Sequence, residues 1–546
     1  MSEDLQESEI SLIRKARKKF VALATAYFLG VFNDNFYKQA ACLIAVAAGQ
    51  NEFQGEATIL FALPFLLLAA PAGWLADHYS KRNVIVWGKF IEILAMSAGA
   101  YGIYTNNWTF IFIMLVLMAA QSTIVSPALN GTIPELYPES YVTKANSLVK
   151  LISTSAILIG VLFAGLSIDQ KGGAKEKPPF LLESLLKPKE LIVYIKNGDD
   201  ADIQRLRPFV NVGQMATIYE SDKKKGAIFI VAEMNRLIQN EKFQQLLQKD
   251  KKINKNYFNF ENEDKKKATK DDLTLATRKY VESFLSSEIK VTAITKTGRL
   301  TVSVVIIVIA LIGFMISLAV PKYKAAAPDK PFPFSGPFNT ISVIYNIRKD
   351  YLLFLTFFGS LIFYLIASLL TLLINSLGLG QFRYSAFDTS LLVFALLLGI
   401  CIGSLLAGMI VKANSWYKLI PWALLVMGIG LLLMGCVPLL PKTYEYTSIF
   451  IFLVIAGTGG GLFIIPTESF IQIRPSSDKK GEVISAGNFM TFVGVLISGK
   501  LYIYMERSGN LPTINIGMLG GATILIAGIS WLLLIKVPRI EAEREK

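Results

Sequence analysis

The sequence predicts an all-α membrane protein of twelve transmembrane helices in two six-helix halves, with a small soluble α/β insertion between helices 5 and 6. Three observations predict it. Apolar stretches of about 20 residues, the length that crosses a hydrocarbon core about 30 Å thick, recur twelve times along the 546 residues. The composition is 53% hydrophobic and only 18% charged, with a mean hydropathy of +0.47, because lipid asks for apolar surface outside as well as inside. Charge is concentrated in one segment, 169–298, where 44 of 130 residues are Asp, Glu, Lys or Arg. Fibrous, disordered and disulfide-rich classes are excluded. Cys42, Cys401 and Cys436 all sit in apolar runs and read as packing residues. A single histidine, His78, removes chemistry that needs an imidazole pair.

The twelve stretches lie near 20–47, 56–77, 83–105, 108–128, 145–168, 299–320, 351–375, 385–412, 417–438, 447–472, 482–505 and 514–536. Six precede the segment 321–350 and six follow it, so 20–168 with 299–320 forms one bundle, 351–536 the other, and 321–350 a linker. The first stretch is long and interrupted by Asp34 and Lys38, which suits a retained helix rather than a cleaved signal peptide.

Lys and Arg set the orientation. The tail 1–19 carries Arg14, Lys15, Arg17, Lys18 and Lys19. The even-numbered loops carry Lys81 and Arg82, then Lys322, Lys324, Arg348 and Lys349, then Lys412 and Lys418, then Arg474, Lys479 and Lys480. The short odd-numbered loops hold single cations such as Arg383, Lys442 and Arg507. Both termini, 1–19 and 537–546, are therefore expected in the cytoplasm, and helix parity places 169–298 outside it. The net charge of +14 thus belongs to membrane topology, and no nucleic-acid partner is expected.

Within 169–298, LIVYIKNGDD (191–200) and the pair ATIYES and AIFIVA around DKKKG (216–232) read as strands and a hairpin. EMNRLIQNEKFQQLLQK (233–249) has helical spacing, and the Lys-rich 250–272 reads as flexible. The segment is either a solvated decoration or a module that docks a partner.

The halves repeat one another. PALNGTIPELYPESYVTKANSLVK (127–150) matches PTESFIQIRPSSDKKGEVISAGNFM (466–490): a Pro in the last turn of a helix, a second Pro in the loop (Pro134, Pro475), then Ala145-Asn146 or Gly487-Asn488 as the next helix begins. Gly73-x-x-x-Asp77 closes span two and Gly408-x-x-x-Lys412 closes span eight. Two related six-helix halves joined by a linker are the layout of a rocking transporter, with its site between the halves near the midplane.

GWLADHYSKR (73–82) resembles the loop motif of the major facilitator superfamily, with Ser80 where that family usually has Gly. The resemblance implies close helix approach at Gly73, Asp77 facing the amino end of span eleven in one state, and Lys81-Arg82 beyond the membrane edge. FLGVFNDNFYKQA (28–40), SPALNGTIPELYPES (126–140) with KANSLVK (144–150), GICIGSLLAG (399–408) and 463–490 resemble the bacterial lysophospholipid transporters and the membrane portion of acyltransferase fusions. Glu468 and Gly487 depart from that pattern, as does the 130-residue insertion. What the resemblance implies is a bacterial inner-membrane carrier of lysophospholipid, surrounded by membrane lipid, monomeric, with an acyltransferase or a periplasmic protein as partner.

Charge within a span is the strongest clue to a site, because Asp or Lys at a helix centre costs about 2.5–3.5 kcal/mol on insertion scales. Asp34 lies about 21 Å into span one, and Lys38 follows at i+4. The two either neutralise each other or face a cavity, Asp34 near the amine and Lys38 near the phosphate of a zwitterionic head group, with Asn35 between them. Lys89 and Glu92 form a second pair in span three, either a coupling carboxylate with its partner or a structural pair. Gln121 joins the substrate-binding candidates. Gly73, Asp77, Lys81, Arg82, Asn146, Lys150, Glu468 and Asn488 are the gating candidates, Asn146 and Asn488 because they occupy matching positions.

Other motifs carry no chemistry. GVLISGKL (494–501) lacks the hydroxyl of a phosphate loop and lies within a span, so it reads as a packing face. Gly399-x-x-x-Gly403 and Gly459-Gly460-Gly461 permit close helix contact or bending. His78 lacks the Asp of an acyltransferase motif, since position 83 is Asn. Phe28, Phe32 and Phe36 recur at fourth positions and suit an acyl-chain groove or lipid-facing packing. No catalytic residue, cofactor or metal is expected. Three functions fit: a lysophospholipid carrier working by alternating access, a proton-coupled exporter of a small amphipathic compound, or a membrane scaffold whose insertion binds a partner.

Overall fold

The computed structural model describes residues 3–48, 50–137, 139–169, 191–192, 195–196, 201–250, 253, 273–278, 280–281, 296–322, 324–329, 331–334, 336–382, 384–410, 416–475 and 480–537. Among the described residues the regular structure is helical throughout. The chain divides into two compact units: Met1–Val46 with Asn51–Ala174 and Ile294–Lys546, and Ala47–Gln50 with Lys175–Ala293.

The larger unit opens with α1 (Glu3–Ala47), α2 (Glu52–His78), α3 (Lys81–Thr105), α4 (Trp108–Leu136) and α5 (Glu139–Ile168). Eleven of the described helices in the chain are long and apolar enough to cross a membrane. Helix α1, expected as a twelfth, forms as one 45-residue helix but is not among them. Asn33, Asp34, Asn35, Lys38 and Gln39 fall within about two turns in its second half and lower its mean hydropathy. The loops that join the helices are short because their ends are capped: Asn106 takes the left-handed backbone conformation (φ 56°) at the end of α3, and the Asn107 side chain accepts from the Thr109 N–H to start α4.

The smaller unit contains α6 (Ala201–Leu206), α7 (Val212–Ser221), α8 (Lys223–Ile238) and α9 (Glu241–Lys249). The expected hairpin over 216–232 is therefore helical, and the expected α/β insertion has no strand among the described residues. Of 191–200, the described positions 191–192 and 195–196 are also helical, and the rest lie outside the described residues, as do 254–272 of the Lys-rich stretch. Tyr, Ile, Val and Phe mimic strand composition here, but Ile230, Met234, Leu237 and Ile238 are buried at helical spacing. Gly226, read as the hairpin turn, sits where α8 crosses α7: a Cβ there would lie 2.3 Å from the Tyr219 Cα. Asn211 and Asn240 cap α7 and α9.

The larger unit continues with α10 (Lys296–Ser317), a linker helix α11 (Gly336–Ile347), then α12 (Tyr351–Asn375), α13 (Ala386–Ile410), α14 (Ile420–Gly435), α15 (Lys442–Ile473), α16 (Lys480–Ser508) and α17 (Pro512–Leu534). Helix α10 packs on α3 and α5, completing a first six-helix half, and α12–α17 pack as a second. Helix α11 contacts both α2 and α16. Glycines set the tightest crossing: a Cβ on Gly403 of α13 would lie 2.0 Å from the Thr458 carbonyl of α15, and one on Gly461 2.2 Å from that of Ile400. The glycine runs of 399–403 and 459–461 thus serve close packing. Pro127 and Pro466 lie inside α4 and α15, about two turns before their ends, rather than in the last turn, and Pro134 belongs to α4 rather than to the loop.

Candidate functional site

Asp34, on α1, accepts a 2.5 Å hydrogen bond from the Ser122 hydroxyl of α4 through Oδ2, while its buried Oδ1 has no partner. Gln121, 4% exposed, accepts from the same hydroxyl at 3.2 Å. The Lys38 ammonium stands 4.8 Å from the centre of the Phe61 ring on α2, and no carboxylate among the described residues lies within ion-pair reach of it. Asp34 and Lys38, one turn apart on one helix, therefore do not neutralise one another. Burying the two charges apart is costly, and the arrangement presents one acceptor oxygen and one ammonium. Asn35 donates to the Val31 carbonyl of its own helix at 2.8 Å.

Lys89 and Glu92 do pair, at 2.6 Å, with side chains 2% and 1% exposed. Asn33 donates to Glu92 at 3.3 Å and to the Ile306 carbonyl of α10 at 3.2 Å. A Cβ on Gly30 would lie 2.7 Å from the Lys89 Nζ. The pair thus fills the seam of α1, α3 and α10 within the first half.

Among the described residues, the side-chain bonds that join the two halves gather at one end, where α1 meets α2. Gln39 donates to Asn375 at 2.9 Å, Asn375 to Gln54 at 3.0 Å, and Gln54 to Tyr502 at 2.9 Å and Ser376 at 3.1 Å. All five side chains belong to fully or nearly fully buried residues. Asn51 donates to Glu506 at 2.7 Å, and Arg507 forms an ion pair with Glu52 at 2.7 Å. The Asp169 carboxylate, at the end of α5, accepts from the Ala386 and Phe387 N–H groups at 3.1 and 2.5 Å, at the positively polarised start of α13. Backbones meet here too: a Cβ on Gly55 would lie 2.6 Å from the Gly499 carbonyl, and the reverse also holds. The chain after α12 continues as a π-helical turn, Ser376–Gln381, which sets Asn375 and Ser376 against the first half.

None of these residues between the halves is among the sequence-predicted site residues. Gln39, Gln54 and Asn375 are amides isolated in apolar runs near the ends of spans that face each other, and that pattern is the signal that could have found them. Gly499 was read only as part of a packing face, and it is a contact between the halves.

The sequence-predicted gating residues fall elsewhere. Lys81 pairs with Glu135 of α4, and Arg82 donates to the Leu318 carbonyl after α10, both within the first half. Asp77 accepts, through its backbone carbonyl, from the Ala327 N–H of the linker at 2.9 Å. Glu468 accepts from the Tyr364 hydroxyl at 2.8 Å within the second half. Lys150 and Asn488 are exposed, and the Asn146 side chain lies outside the described residues. Among the described residues nothing lies within 4 Å of a Cβ added to Gly73 or to its counterpart Gly408, so neither marks a close helix approach there.

The sequence model of the Major Facilitator Superfamily matches residues 22–180 and 298–499. The chain is 29% identical over 170 residues to the lysophospholipid transporter LplT of Shigella flexneri serotype 5b (strain 8401), covering 31% of this chain and 40% of the relative. It is 28% identical over the same length to LplT of Escherichia coli (strain K12 / DH10B), with the same coverage. The matched part thus spans about two fifths of these relatives' length. Among solved structures, the nucleoside transporter NupG superposes with a TM-score of 0.53 at 10% identity, covering 94% of this chain and 99% of that one. A POT family transporter in complex with 5-aminolevulinic acid gives 0.51 at 14%, covering 96% of both chains. These structures are alike in fold alone. With the family's model matched over much of both six-helix halves, on either side of most of the insertion, the chain belongs to the Major Facilitator Superfamily.

Proposed function

We propose that this protein is a secondary transporter that moves lysophospholipid across the bacterial inner membrane by alternating access. The observation that carries the reading is the unneutralised pair on α1: an Asp34 oxygen with no partner and a Lys38 ammonium with no carboxylate, one turn apart. A zwitterionic head group brings an amine for the first and a phosphate for the second. Helix α1 is then the twelfth span, its polar centre turned to the substrate rather than to lipid.

The one-sided bonding between the halves supports the mechanism. With the α1–α2 end bonded, the halves would part on the α2–α3 side, which the Lys and Arg distribution assigns to the cytoplasm. Transport requires the network of Gln39, Gln54, Asn375 and Tyr502 to part while the opposite end closes. The names of the relatives support the substrate class.

Uptake of labelled lysophosphatidylethanolamine into proteoliposomes tests the reading. Asp34→Asn and Lys38→Ala are each expected to lower the rate at least tenfold with the protein correctly folded. Wild-type rates in both variants refute it. A wild-type protein that ignores lysophospholipid but expels an amphipathic cation in exchange for protons belongs to the exporter class.

A further inference from the structure

Helices α1 and α5 lie side by side and meet at several levels, with the Phe32 and Phe163 rings 6.0 Å apart. A Cβ on Gly160 of α5 would lie 2.8 Å from the Phe32 carbonyl of α1, so the backbones meet there. Toward the α2–α3 end they part around a cleft of about 760 Å³. Its walls are apolar: Phe20, Val21 and Phe28 on α1 face Leu148 and Ile152 on α5. Val21 and Leu148 are 55% and 43% exposed, so the walls are not closed on each other. Tyr137 forms the floor against the Phe20 ring, with centroids 5.4 Å apart. At the mouth stand two exposed guanidiniums, Arg14 and Arg17, one turn apart.

The dimensions select an occupant. From Arg17 to Phe28 the cleft follows α1 for about 16 Å, close to the depth of one leaflet, about half of the 30 Å hydrocarbon core. The arginines then lie at the leaflet surface and Phe28 near the midplane. From Phe28 a stack of rings continues through Phe32 to Phe36, at 6.3 and 5.7 Å, past the level of Asp34. A site apolar over the depth of one leaflet and ending in two forked cations matches a single acyl chain whose phosphate lies on the guanidiniums.

We infer that the α1–α5 cleft is a lipid-side station for lysophospholipid, holding its acyl chain between Val21 and Leu148 and its phosphate on Arg14 and Arg17. The inference rests on the transport reading above and adds a site distinct from the Asp34 and Lys38 pair. It commits to the single-chain lipid: a cleft walled by two helices has room for one chain alongside Phe20 and Phe28.

The test uses the full protein in proteoliposomes with lysophosphatidylethanolamine that carries a diazirine in its acyl chain, mapped by peptide mass spectrometry after illumination. Labelling is expected within 20–28 and 148–152, competed by unlabelled lysophosphatidylethanolamine and not by the diacyl lipid. Val21→Trp with Leu148→Trp, which fills the cleft, and Arg14→Gln with Arg17→Gln, which removes the cations, are each expected to lower labelling at least fivefold. Arg14→Lys with Arg17→Lys is expected to retain more of it than the Gln pair, which separates a charge role from a packing role. Labelling elsewhere, or equal competition by diacyl lipid, overturns the inference. Wild-type uptake is scored separately: labelled clefts without transport remove the transport reading and leave the binding site, whereas transport without cleft labelling removes the site and leaves the transport reading.

Discussion

Asn51 and Glu506 belong to opposite halves of the protein and are joined by a 2.7 Å hydrogen bond, beside the ion pair of Glu52 and Arg507. If this contact belongs to a gate, locking it stops the cycle. In a background with Cys42, Cys401 and Cys436 replaced by Ser, the pair Asn51→Cys and Glu506→Cys, bridged by a short bifunctional maleimide, is expected to abolish uptake. Each single variant treated alike is expected to keep it. Undiminished uptake after complete bridging means that the two ends stay together throughout transport.

The buried amides next to this contact are costly to break singly. Gln54→Leu strands the Asn375 amide nitrogen, while Ser376 and Tyr502 keep their mutual bond, and an orphaned buried polar group costs about 1–3 kcal/mol. Because these groups regain water when the end opens, the loss falls on the closed state. Opening is therefore expected to rise about tenfold for each 1.4 kcal/mol. Maleimide labelling of a Leu379→Cys reporter, buried among residues of the first half, reads it: faster labelling in Gln54→Leu is the expected result.

Gly55 and Gly499 act through volume rather than polarity. A side chain at Gly55 meets the Gly499 carbonyl at 2.6 Å, and overpacking of this kind costs about 1–3 kcal/mol. Gly55→Val is expected to push α2 from α16 and raise labelling of the same reporter, without lowering the helix content seen by circular dichroism. By contrast Gly73→Val meets open space and is expected to leave labelling at this end unchanged.

The span positions were legible because lipid imposes length and apolarity together: the stretch read at 351–375 is α12 residue for residue. The contact between the halves was not: it is built from Gln39, Gln54, Asn375 and Tyr502, residues with no formal charge, whereas intramembrane ions are what stands out in a sequence. Nor was the partition of Asp34 and Lys38 legible, since i,i+4 spacing permits a pair and only the positions of Ser122 and Phe61 draw the two apart. In the insertion, β-branched and aromatic residues outweighed helical spacing in the reading of 216–232. The deciding fact, Gly226 lying against Tyr219, is a tertiary contact.

Lys89 and Glu92 separate a structural pair from a substrate site by double substitution. Both are within 2% of full burial, and their outer partners, Asn33 and the space made by Gly30, lie in the same half. Removing one partner of such a pair strands the other charge, at about 3–5 kcal/mol, whereas replacing both by apolar residues of similar volume is often neutral or stabilising. Glu92→Leu and Lys89→Met are therefore each expected to lower the melting temperature in detergent, and the double variant to recover most of the loss. Asn33 tempers the recovery, because its amide loses one acceptor and keeps the Ile306 carbonyl. Transport in the double variant then decides the role. Near wild-type uptake assigns the pair to holding α1, α3 and α10 together, and a stable double variant with no uptake assigns Glu92 to substrate or coupling.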